Sequence, residues 1–226
     1  MTVYAGCCGF LEMVFQKKNG KMSTGHASHK IRIVGGQWKR TPLVVTDAEG
    51  LRPTSDRVRE TVFNWLTHMR GTRFTDMRCL DLFAGTGALG FEAASRGVAN
   101  VTMIEENRTA YAQLQRVKNK LDASQVAIFH ADALDMAAQF VRQKQTFDLI
   151  FLDPPFRKEW LPKVVPLCAK LLVNDGLVYI ESDMRLTTEM LALWSGHDVS
   201  VPQLVREGQA GQVYYHLFEM QAARLS

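Results

Sequence analysis

Cysteine is scarce in this sequence. The four present are the adjacent Cys7 and Cys8, and Cys79 and Cys168, which sit in apolar runs. So few thiols cannot staple a disulfide scaffold, and no CxxC pair or His/Cys cluster has the spacing of a metal-binding module. Reduced thiols in a cytoplasmic protein, without a metal, are the expectation. No stretch of about 20 apolar residues occurs, so there is no candidate transmembrane helix and no membrane partner is expected. The opening MTVYAGCCGFLEMVFQKKNGK has no basic residue before its apolar part and is interrupted by Glu12, which makes a poor secretory signal. Internal repeats and low-complexity tracts are missing as well. Proline is infrequent, seven residues in all, yet two stand side by side in FLDPPF, residues 151–156. Proline donates no backbone hydrogen bond, fixes its own φ and pushes the preceding residue into extended geometry. A buried strand that ends on Asp-Pro-Pro and an aromatic ring therefore calls for an explanation.

What remains is an ordinary globular balance, 46% hydrophobic and 22% charged, over 226 residues. That length suffices for one sizeable α/β domain and an appendage. The net charge of +4 is unevenly placed: residues 1–60 carry ten Lys/Arg against five Asp/Glu, and the rest carry 17 against 18. The basic excess lies in the N-terminal quarter, where either a phosphate-contacting surface or a solvated basic face would account for it. Residues 1–28 read as a flexible leader, with Met22 an alternative start, because patterned sequence begins only near Lys30.

IRIVGGQW and PLVV read as a hairpin near residues 31–45. GLRPTSDRVRETVFNWL reads as a loop and a helix, capped by Thr54 or Ser55, with Asp56 in its first turn. Val58, Val62, Trp65 and Leu66 share one face of that helix. From residue 76 onward strands alternate with helices. The strands are RCLDLFA, NVTMIE, QVAIFHA, FDLIFLD and GLVYIES; the helices fall near 87–97, 108–120, 133–143 and 159–172. The tail GHDVSVPQLVREGQAGQVYYHLFEM supplies two more strands. The expectation is an α/β, Rossmann-like domain over 73–226, with a seven-stranded, mostly parallel sheet whose last strand is antiparallel. An N-terminal hairpin and helix over 29–72 precede it. Ligands of such sheets bind beyond the C-terminal ends of the strands. The unusual residues collect there: Asp81 to Gly87, Glu105, Asp132, Asp153 to Phe156, and Glu181.

DLFAGTGALG contains Gly85-x-Gly87-x-x-Gly90, and Glu105 follows about 20 residues on, as a dinucleotide-binding fingerprint expects. An acid after the second strand can accept both hydroxyls of a ribose. Asp81 at the head of the loop would repel a pyrophosphate and attract an ammonium and a sulfonium. The cofactor expected is therefore S-adenosylmethionine rather than NAD. Candidates for its contacts are Asp81, Phe83, Ala84, Gly85, Thr86, Gly87, Ala88 and Glu105. Asp132 and the backbone of Ala133 could meet the adenine, although Asp132 is equally a natural helix cap.

The prolines fit methyl transfer to an exocyclic amine. Such a nitrogen shares its lone pair with the ring, so the site must hold it with the lone pair directed at the methyl carbon. Asp153 offers a side-chain acceptor and Pro154 a carbonyl whose direction Pro155 helps to fix. The ring of Phe156 can stack on the base, and Asp153 also faces the cofactor.

DPPF together with DLFAGTG resembles the S-adenosylmethionine-dependent amino-methyltransferases of class I fold. More narrowly, RIVGGQWKRTPL and GLRPTSDRVRETVFNWL resemble the bacterial RsmD family, over residues 31–220. The resemblance implies a monomeric enzyme that methylates guanine N2 in 16S ribosomal RNA, at a guanine of the 966 type, within a small-subunit assembly intermediate. It further implies that Thr54 and Arg57 close over the cofactor's methionine end. Arg32, Trp38, Lys39, Arg40, Arg52, Arg59, Arg157 and Lys158 become the RNA-contacting candidates; ion pairs with Asp56 or Glu60 are the plainer role for Arg57 and Arg59. Two other readings remain open: an amino-methyltransferase for adenine N6 in DNA or RNA, and a non-catalytic RNA-binding assembly factor.

Overall fold

A computed structural model describes residues 31–43, 55–71, 74–155, 159–196 and 202–220. The leader over 1–28 and the predicted site residues Arg52, Thr54, Phe156, Arg157 and Lys158 lie outside the described residues. The chain opens with a short antiparallel pair, β1 (Ile31–Arg32) and β2 (Pro42–Leu43), in which Ile31 faces Leu43. Helix α1 (Asp56–Arg70) starts at Ser55, whose Oγ accepts from the amide of Val58 at 3.3 Å. Val58, Val62, Phe63 and Leu66 are its buried stripe, and Trp65 is half-buried beside them.

Strands and helices then alternate as β3 (Arg78–Asp81), α2 (Ala88–Ser95), β4 (Asn100–Glu105), α3 (Arg108–Leu121), β5 (Val126–His130), α4 (Ala133–Arg142), β6 (Phe147–Leu152), α5 (Leu161–Leu171) and β7 (Leu172–Ser182). Asn107 caps α3 and Asp132 caps α4, each through a side-chain oxygen. A helix α6 (Thr188–Ser195) follows, and β8 (Pro202–Ala210) and β9 (Val213–Met220) close the chain. Seven strands form one sheet in the order β5-β4-β3-β6-β7-β9-β8. β3 to β7 pair in parallel; β9 runs antiparallel to both β7 and β8. The expected Rossmann-like architecture is thus the one observed.

Three details differ from the sequence pattern. α6 was not anticipated, although Thr187 caps it through a bond from the Met190 amide and Leu191 anchors it in the core. β7 begins four residues before Gly176, directly after α5, with a register irregularity where Phe147 pairs with Leu172 but Leu149 with Leu177. The closing hairpin docks through its second strand, so β9 is internal and β8 is the edge.

Alternation along the strands divides the core in two. Cys79, Met103, Leu149, Phe151, Tyr179 and Leu217 pack with α1, α2, α3 and the hairpin. Leu80, Ile104, Ile150, Leu152, Ile180 and Phe218 pack with α4, α5 and α6. The same alternation places Asp81, Glu105, Asp153 and Glu181 on the face that carries α1. Strand order reverses at β3, with β4 on one side and β6 on the other, so a crevice opens at the ends of β3 and β6.

Candidate active site

Asp81 ends β3 and is 1% exposed. Its Oδ2 accepts from the Gly90 amide at 3.1 Å, whereas Oδ1 is buried without a hydrogen-bond partner among the described residues. Burial raises this carboxyl to about 7. The backbone amides of Gly90 and Phe83 pull it down, and the charge of Glu105 pushes it up. A buried carboxylate oxygen with no partner is costly, and a cationic ligand would relieve it.

The glycine loop wraps over Asp81. Gly87, the residue before α2, has φ of 77°, where a side chain would be strained. A Cβ at Gly90 would collide with Met103 and lie 3.1 Å from Asp81 Oδ2, so glycine lets the helix sit against the acid. Glu105 ties the loop to β4: Oε2 accepts from the Gly85 amide and Oε1 from the Asn107 amide, both at 2.7 Å. Partial burial raises its pKa, and those two amides counter the rise. A carboxylate has about four acceptor positions, so these bonds orient Glu105 with capacity left for ribose hydroxyls. Of the remaining loop candidates, Phe83 is half-buried and meets Trp160 edge-on at 5.4 Å, Thr86 is half-buried, and Ala84 and Ala88 are buried. Asp132 Oδ1 accepts from Leu134 and Asp135 at 2.8 and 3.0 Å, which is its capping role, and Ala133 is buried in the second core layer.

Asp153 is half-buried one residue beyond β6, Pro154 is buried and Pro155 exposed. Beneath them Phe151 meets Tyr179 edge-on at 5.9 Å and Phe63 at a tilt, also at 5.9 Å. The Tyr179 hydroxyl donates to Glu181 Oε1 at 2.9 Å, and both side chains are buried. Burial holds the Tyr179 phenol well above its usual range, helped by the charges of Glu181 and Asp153. The sequence marks Glu181 only as a strand end; the structure adds its bond to Tyr179, two residues earlier on the same strand and face.

The N-terminal candidates separate. Lys39, Arg40 and Arg57 are exposed; Arg32 is exposed and bonded to Asp56 at 2.9 Å. Trp38 is half-buried against the core under the hairpin. Arg59 is corrected as an RNA contact, because it is 0% exposed. Its guanidinium bonds Asp56 at 2.5 Å and lies 3.4 Å from Glu92. Burial lowers its pKa and the two carboxylates oppose that, so it stays a cation inside the protein. Glu92, also fully buried, accepts from the amides of Val34 and Gly35 at 2.6 and 2.8 Å and from Arg96 at 2.7 Å. Glu92 was missed in the sequence; a lone acid inside the otherwise apolar GALGFEAAS was the available signal.

Cys79 and Cys168 are buried, and burial pushes both thiols up, which makes them inert. Among the described residues no helix is long and apolar enough to cross a membrane.

The family described as "Conserved hypothetical protein 95" matches residues 31–219. The sequence is 41% identical over 199 residues to ribosomal RNA small subunit methyltransferase D of Escherichia coli K12, covering 86% of this chain and 92% of that protein. Its counterpart of the same name in Haemophilus influenzae is 35% identical over 203 residues, covering 88% and 98%. Among solved structures, an Escherichia coli protein described as a candidate methyltransferase superposes with a TM-score of 0.68 at 37% identity, over 86% of this chain and 99% of that one.

Proposed function

The chain belongs to the RsmD family of small-subunit ribosomal RNA methyltransferases, and from that premise we propose that it methylates the N2 amine of a guanine of the 966 type in 16S rRNA, using S-adenosylmethionine. The single observation that carries the reading is the meeting of two unlike acids on one face of the sheet. Asp81 presents a buried, unpartnered oxygen beside a glycine loop, and Asp153-Pro154 stands at the end of the adjacent strand.

When bound, S-adenosylmethionine supplies a methyl group on a cationic sulfur that departs as a neutral thioether. Asp81 receives the ammonium through Oδ1, and Glu105 receives the ribose hydroxyls while held by Gly85 and Asn107. The loop from Phe83 to Ala88 lines the remainder; Asp132 and the Ala133 backbone meet the adenine, and Thr54 and Arg57 the carboxylate. Asp153 and the Pro154 carbonyl accept the two N–H bonds of the target amine and hold its lone pair in line, with Phe156 stacked on the base. Proline at 155 removes loop freedom before the RNA arrives. The exposed Lys39, Arg40 and Arg32, with Arg52, Arg157 and Lys158, bind phosphates, and Trp38 supports the hairpin that carries the first of them. The substrate is RNA in a small-subunit assembly intermediate, and the enzyme acts as a monomer.

Transfer of tritiated methyl to naked 16S rRNA, to assembled small subunits and to duplex DNA tests this, with mass mapping of the modified nucleoside. N2-methylguanosine in rRNA is the expected product. Preference for DNA, or an N6-methyladenosine product, would refute it.

A further inference from the structure

Glu181 is a buried acid, 4% exposed, at the C-terminal end of β7, and the roles assigned above leave it unused. The register of β6 and β7 locates it. Phe151 pairs with Tyr179 and Leu152 with Ile180, so the next positions along the two strands are Asp153 and Glu181. Adjacent strands lie about 4.8 Å apart, and both acids follow the alternation of Phe151 and Tyr179 onto the face of the α1 layer. The Tyr179 hydroxyl bonds Glu181 at 2.9 Å, and its phenol also feels the charge of Asp153. Packing of Phe63 and Phe151 fixes that ring in turn. The result is a second carboxylate, oriented by a rigid donor, one strand away from the acid that holds the amine.

We propose that Glu181 selects guanine over adenine by accepting the N1–H of the target base beside the amine held at Asp153. This rests on the reading of the site as a guanine-N2 methyltransferase. Guanine places N1–H immediately next to its 2-amino group, so two donors on one edge meet two acceptors on adjacent strands. Adenine places a lone pair at N1 next to its 6-amino group. A carboxylate facing that lone pair has no proton to accept and is left buried without its bond, the kind of mismatch that discriminates strongly. The bond from Tyr179 takes one of the roughly four acceptor positions of the Glu181 carboxylate and orients it.

The test compares small-subunit RNA carrying guanosine at the target position with the same RNA carrying 2-aminopurine riboside there. The analogue keeps the 2-amino group but has a lone pair at N1. The wild-type enzyme is expected to show kcat/KM about 100-fold lower on the analogue. E181Q is expected to lose about tenfold on guanosine and to narrow the ratio below about tenfold, because its amide can donate to the N1 lone pair. Affinity for S-adenosylhomocysteine, measured by calorimetry, should stay within about twofold and reports that the variant is folded. A purely structural Glu181 would lower both rates together and leave the ratio intact, which overturns the proposal. Should E181Q fail to fold, the wild-type rates decide: equal rates on the two RNAs overturn the proposal and the 100-fold gap supports it. If wild-type protein forms no N2-methylguanosine in the guanosine RNA, the underlying reading fails, and this inference falls with it.

Discussion

Asp81 and Asp153 are carboxylates at the ends of neighbouring strands, and their surroundings differ. Asp81 is sealed under the glycine loop with one oxygen unmatched; Asp153 is half-buried at the crevice rim between two prolines and a second acid. Replacing Asp153 with Ala is expected to lower kcat by about 100- to 1,000-fold, the usual loss when a preorganised hydrogen-bonding group is removed. Calorimetry should find S-adenosylhomocysteine binding little changed, while unchanged turnover would take Asp153 out of the mechanism. Asp81 predicts a pH dependence. Its folded value, about 7, lies above the usual 3.8, so the proton is held more tightly in the folded chain. The stability this contributes is full below pH 3.8 and is lost as pH rises through about 7. Ligand binding runs the other way, because an ammonium competes with that proton. Affinity for S-adenosylhomocysteine should rise about tenfold from pH 6 to pH 8, with a proton released on binding, and Asp81→Asn should abolish the slope.

The elements that frame the site are joined by charge as well as by apolar packing. Arg59 in α1, Glu92 in α2 and the Val34 and Gly35 amides of the hairpin form one buried network, with Asp56 and Arg96 at its margin. Ser95 adds a bond to the Gly35 carbonyl at 2.6 Å and accepts from the Trp38 amide at 2.9 Å. The hairpin of two-residue strands has little pairing of its own, so this network docks it together with the buried Ile31, Ile33 and Leu43. Arg59→Met should destabilise the fold by about 3 kcal/mol, since among the described residues Glu92 then loses one of its two cationic partners and keeps Arg96. Urea unfolding measures this. A variant as stable as wild type would show that the network holds nothing together.

Across the whole molecule, charge and shape coincide. Five of the ten basic residues of the N-terminal quarter, Arg32, Lys39, Arg40, Arg57 and Arg59, are on the hairpin and α1, which sit on the face that bears the acids of the crevice. Lys39 and Arg40 are exposed there, and Arg59 is turned inward. Filter binding to 16S rRNA over a range of salt should show the slope of log K against log salt falling by about one for each of Lys39→Ala and Arg40→Ala. A slope unchanged by both hairpin variants would move the RNA path elsewhere.

The sequence by itself determined the alternation of strands and helices, the places where they end, and the chemistry gathered at those ends. The apolar periods of β3, β4 and β6, the glycines of residues 85–90 and the prolines after Asp153 are local features, and local physics is enough to read them. The spacing of Arg59 to Val62, Phe63 and Leu66, three, four and seven residues on, puts it on the apolar stripe and Arg57 off it, but the partner of Arg59 on another helix, Glu92, was not legible. Nor could the sequence show the buried role of Glu92 or the interior place of β9, each of which depends on what distant segments bring alongside. Tertiary structure decided those, since burial and partnership are set by neighbours in space, and a charge that looks solvated in the chain can be enclosed when three elements close over it.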